Sequence, residues 1–185
     1  MKKLRQIVES VPDEHLFHTS FHDKPIDGVN NKFNKSATWF YSDRHDKSSK
    51  STAVDEAKSM MSDGKSTTGV YKINKKLNLA NEKDVSRSMR EINHPMASED
   101  DNNHGSAWEN LDGSANGDKE NTDKLISHLK KQGFHGVEHE DYSQVNNNND
   151  RKSICLFDPH DHLNLVSHHI DTDSLDKYSN KQKDK

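Results

Sequence analysis

The chain has 185 residues, a formal net charge of -4 and 28% hydrophobic residues, against roughly 45–50% for an average globular domain on a count that includes glycine. With a mean hydropathy of -1.20, its apolar residues must be gathered into a few elements. No apolar run is long enough for a bilayer-spanning segment, and the lone Cys155 excludes an intrachain disulfide and a multi-cysteine zinc site. The acidic balance, with no basic stripe interleaved with aromatics, gives no sign of a nucleic-acid partner. One domain over residues 1–170 and a charged, frayed tail over 171–185 are expected.

Met1-Lys2-Lys3 opens with positive charge, but Leu4, Ile7, Val8 and Val11 follow at i, i+3, i+4 and i+7. That pattern predicts a helix ending before Pro12 rather than a secretory leader, and a soluble, cytoplasmic protein is expected. Leu16 to Phe21 predicts a short strand, and the polar run from His22 to Lys35, with Pro25 and Gly28, a loop. Thr38 to Ser42 predicts a second strand, and Asp43 to Lys50 a connection. Thr52 is placed to cap a helix carrying Val54, Ala57, Met60 and Met61, with Gly64 to end it.

Val70 to Leu79 reads as one or two strands, with Tyr71 and Ile73 on one face. Ala97 to Asp123 reads as a long loop around Trp108. Thr122 is expected to cap a helix with the stripe Leu125, Ile126 and Leu129, which Gly133 stops. Phe134 to Val137 predicts a strand. Ile154 to Phe157, apolar throughout, predicts a strand covered on both faces. Leu163, Leu165 and Val166 suggest an edge strand after Pro159. Strands and helices do not alternate regularly, so the fold class is α+β.

Three of these pieces carry chemistry in order: His18-Thr19-Ser20 at the end of the first strand, Trp39-Phe40-Tyr41-Ser42 before the Ala57 helix, and Gly133-Phe134-His135-Gly136-Val137 followed by Ile154 to Pro159. This order resembles the ADP-ribosyltransferase superfamily, and most of all the small transferase-like domains of phages and other mobile elements. The resemblance implies small split antiparallel sheets forming a cleft with flanking helices. It also implies NAD as substrate, an unknown macromolecular acceptor, and a host-cytoplasmic location if the chain is phage-encoded.

Carried onto this chain, the family pattern makes His18, Thr19 and Ser20 the dinucleotide-binding residues. The imidazole would hydrogen-bond a ribose hydroxyl, offering one donor and one acceptor at fixed angles. Tyr41 would stack on the departing nicotinamide, a contact favourable by about 0.5–2 kcal/mol. Phe40 is the alternative, because a strand turns neighbours to opposite faces. Active members carry a glutamate at the start of the final strand; here Lys152 and Ser153 stand instead. Ser153 could bond the ribose but not offset the developing cation, so Glu140, among the nearby Glu138, Asp141 and Asp150, is assigned the carboxylate role. An active site would exchange nicotinamide for an acceptor at the anomeric carbon of NAD. The alternative is a catalytically degenerate binding or virion-associated module of the same fold.

Two other patterns are present in the sequence. His160-Asp161-His162, His168-His169 and His135 with His139 suggest metal ligation, but a polar histidine-rich surface accounts for them and no metal is expected. His18-Thr19-Ser20 with His104-Gly105-Ser106 has the spacing of a two-histidine phosphoesterase, although nothing strand-like surrounds the second copy.

Overall fold

The structure is a computed structural model that describes residues 14–20, 37–42, 52–61, 66–97, 119–142 and 150–183. The expected Leu4 to Val11 helix, the loops over 22–35 and 43–50, and His104, Ser106 and Trp108 lie outside the described residues.

Among the described residues, seven strands form one sheet. They are β1 (His15–Ser20), β2 (Thr38–Ser42), β3 (Thr67–Ile73), β4 (Leu79–Ala80), β5 (Gly136–Tyr142), β6 (Asp150–Leu156) and β7 (Leu163–His169). Their order is β4-β5-β6-β2-β1-β3-β7; β4 and β5 run parallel and every other pair antiparallel. The α+β class holds. The expected split into small separate sheets does not, because β2 hydrogen-bonds β1 along one edge and β6 along the other. That double pairing joins the two halves.

All four described α-helices pack on one face of the sheet. α2 (Glu82–Glu91) and α3 (Lys119–Lys131) cover the β5–β6 half through Val85, Met89, Leu125 and Leu129, which meet Val137 and Cys155. α1 (Thr52–Met61) and α4 (Thr172–Lys183) cover the β1–β3 half through Ala57 and Leu175, which meet Phe17 and Val70. The other face carries Leu16, Phe40, Tyr71, Ile73, Ile154, Leu156 and Leu163, and none of these four α-helices packs there. No helix among the described residues is long and apolar enough to cross a membrane.

Local signals explain most boundaries. Gly133 at φ 88 closes α3 as expected: the Phe134 amide reaches the Leu129 carbonyl at 3.1 Å and the Gly133 amide reaches Lys130 at 3.0 Å, the paired bonds of a left-handed helix stop. That helix starts at Lys119, ahead of the expected cap, and Thr122 is buried within it. α2 was not anticipated, since only Val85 and Met89 mark its buried face with Ser86 and Ser88. Its start is nevertheless written in Asn81 and Asp84, whose side chains each bond the other's backbone amide at 3.1 Å.

The segment after Asp171 also departs from the expected frayed tail. It forms α4, seated by the fully buried Leu175 and an ion pair between Lys58 and Asp176. Leu175, with Tyr178 packed beside it, docks a helix that composition alone reads as tail.

Candidate functional site

His18 sits mid-strand in β1, in register with Gly69 of β3. Its Nδ1 lies 2.9 Å from the Trp39 carbonyl. A carbonyl only accepts, so Nδ1 carries the proton in the neutral ring and Nε2 keeps the lone pair. The imidazole also packs against Phe40, ring centroids 5.4 Å apart, and Phe40 meets Tyr71 edge-on at 5.7 Å. Tyr71 in turn lies over Gly69, where a Cβ would come within 2.6 Å of its hydroxyl. The imidazole is therefore fixed in tautomer and orientation on the face opposite the four α-helices. Sequence reasoning missed Tyr71 here; its shared face with Ile73 was the available signal.

Register decides which other expected residues can join it. Phe17 pairs with Tyr41 and Tyr41 pairs with Ser153, so those three share a face, and His18, next to Phe17, points the opposite way. Tyr41 packs with the Phe17, Ala57 and Val70 cluster beneath α1 and α4, and Ser153 is buried on that same side. Thr19 is there too, its Oγ1 2.8 Å from Thr68 Oγ1. The expected convergence of His18 with Tyr41 and Ser153 is therefore corrected: the sheet itself separates them. Ser20 remains on the His18 face and is buried.

Phe40, the alternative to Tyr41, is on the correct face but only 1% exposed, so it braces His18 rather than meeting a planar ligand. Among the carboxylates, Glu138 pairs with Ile154 and Ile154 with Phe40. That row puts Glu138 on the His18 face, three strand steps or roughly 14 Å away. Glu140 pairs with Lys152, and its side chain lies outside the described residues. Both belong to β5. On the same face, Glu14 is buried and accepts a hydrogen bond from Ser42.

No group of three His, Cys, Asp or Glu among the described residues is arranged to hold a metal ion. His135 and His162 come closest, ring centroids 4.6 Å apart, but the Asn78 amide donates to His135 Nδ1 at 2.9 Å. That bond uses the lone pair a metal would need, leaving only an N–H on Nε2. Burial holds His162 below the ordinary imidazole value, with His135 pushing the same way. His139, expected beside His135, turns to the helix face, 3.3 Å from Glu82.

No protein-family model, curated protein or solved structure matches this chain.

Proposed function

We propose that this chain is a dinucleotide-binding domain of the ADP-ribosyltransferase type that holds NAD through His18 without transferring its ADP-ribose. The reading rests on one observation: Tyr41 and Ser153 lie on the face of the sheet opposite His18. Transfer needs an aromatic wall and a carboxylate converging with the imidazole on one anomeric carbon, because stabilisation of an oxocarbenium-like state depends on preorganised charge beside it. The support for binding is an imidazole held in place by the Trp39 carbonyl and Phe40, of a chemistry suited to a ribose hydroxyl. The register row from His18 to Glu138 supports a second reading, an active transferase using Glu138 as its carboxylate.

One experiment separates the two. The full chain is mixed with NAD while its melting temperature and free nicotinamide are followed. At ten times Kd, binding contributes about 1.4 kcal/mol and raises the melting point by about 3–6 °C, without nicotinamide release. His18→Ala abolishes the shift. Release that disappears in Glu138→Gln establishes the transferase reading instead; neither shift nor release refutes both.

A further inference from the structure

One extra residue in β7 builds a second chemical site on the helix side of the sheet. Leu163 and Leu165 pair with Ile73 and Tyr71, Val166 is skipped, and Ser167 and His169 pair with Val70 and Thr68. Without that bulge, Ser167 would share the face of Leu163 and Leu165; with it, Ser167 and His169 turn beneath α4. There Ser167 Oγ lies 2.9 Å from His169 Nε2, and His169 Nδ1 lies 3.3 Å from Ser174 Oγ.

Proton positions follow from the next two bonds. Ser174 Oγ donates to the Asp171 carbonyl at 2.9 Å, and the Asp171 carboxylate holds the Ser174 amide at 2.7 Å. With its proton committed to a carbonyl, Ser174 Oγ can only accept from His169, so Nδ1 bears the hydrogen. A neutral imidazole has one N–H, so Nε2 presents a lone pair and Ser167 donates its hydroxyl to it. That is the geometry of a serine activated by an oriented base.

We propose that Ser167 is a nucleophile, His169 its general base and Ser174 the residue that positions the ring, in a site that hydrolyses esters of small apolar acids. The substrate class comes from the flanks. Val166, the residue skipped at the bulge, directly precedes Ser167 and is exposed, and it offers a short acyl chain an apolar contact. Burial, then His168, holds His169 below the ordinary imidazole value against the opposing pull of the Ser174 backbone and, after it, of Asp171. The other groups facing it are Tyr178, ring centroids 5.4 Å away, and His15 on the far side of that ring.

In the acylation step Ser167 Oγ bonds to the ester carbonyl carbon and its proton passes to His169 Nε2. The ester C–O bond then breaks, and the leaving alkoxide takes that proton. Water repeats the exchange: its oxygen bonds to the acyl carbon and its proton goes to Nε2. Ser167 Oγ departs and recovers that proton, and the acid is released.

The test uses the full chain with a fluorophosphonate probe and p-nitrophenyl butyrate. Expected are a single phosphonyl adduct on Ser167, with loss of fluoride, and ester turnover that rises with pH through the His169 titration and is flat above it. His169→Gln lowers both by on the order of 100-fold or more. Ser174→Ala lowers both, and Ser174→Thr, which keeps the hydroxyl, restores them. No adduct on Ser167, or equal labelling of folded His169→Gln, overturns the proposal. Should His169→Gln fail to fold, equal rates in Ser174→Ala and Ser174→Thr overturn it. Turnover unchanged in His18→Ala separates this site from NAD binding.

Discussion

Gly69 and Tyr71 show how tightly the His18 face is fitted. An added methyl at Gly69 would meet the Tyr71 hydroxyl at 2.6 Å and two ring carbons within 2.8 Å, and Tyr71 is itself closed in by Phe40. Gly69→Ala is therefore expected to lower stability by about 1–3 kcal/mol, read as a drop in the urea midpoint with an unchanged slope. An unaltered midpoint would mean that Tyr71 swings away freely. At this scale the sequence yielded residue types but not directions. His18 was legible as a strand histidine, and the alternation that sets Phe40 against Tyr41 was visible. Which of the two faces His18 depends on the β1–β2 register, Phe17 opposite Tyr41, and that pairing spans a connection whose length does not encode it. The Ser167–His169–Ser174 contacts were hidden for a similar reason, since they require the bulge at Val166.

Among the elements, strands were read better than helices. Each of the hydrophobic runs around Leu16, Phe40, Val70 and Ile154 became a strand near its expected place, because burial on both faces demands continuous apolar character. α2 and α4 were missed because each buries too few apolar residues to raise a periodic signal: Val85 and Met89 in one, chiefly Leu175 in the other. Leu175 is the one fully buried anchor of α4, with Tyr178 packed beside it. Leu175→Ala is expected to cost about 2–5 kcal/mol and to speed amide exchange through Thr172–Lys183 ahead of the sheet. Exchange in α4 as slow as in β1 would show that the Lys58–Asp176 pair or other contacts hold it instead. An exposed pair of that kind contributes roughly 0–1 kcal/mol, too little for the task alone.

Across the whole molecule, the sheet divides two environments, and half-buried or buried histidines lie on both sides of its β3–β7 end. His162, His168 and His169 are all held below the ordinary imidazole value, chiefly by burial. In the unfolded chain each titrates near ~6.5. The folded state resists protonation that the unfolded state accepts, so this stability is complete above about pH 6.5 and is lost as pH falls through the folded values. The urea midpoint should be flat from pH 8 to 7 and fall toward pH 5, less steeply in His162→Asn. A midpoint that holds or rises on acidification would contradict the assignment. The α+β class and the apolar strands could be read from the chain; the joining of two half-sheets through β2 could not, since it requires both edges of one five-residue strand to be satisfied at once.

The separation of His18 from Tyr41 and Ser153 by the sheet is tested most directly by a crystal structure of the full chain soaked with NAD. Intact dinucleotide with a ribose hydroxyl on His18 Nε2, on the face that Phe40 and Tyr71 line, is the expected result. A dinucleotide held between Tyr41 and Ser153, or crystals that take up none, would contradict it.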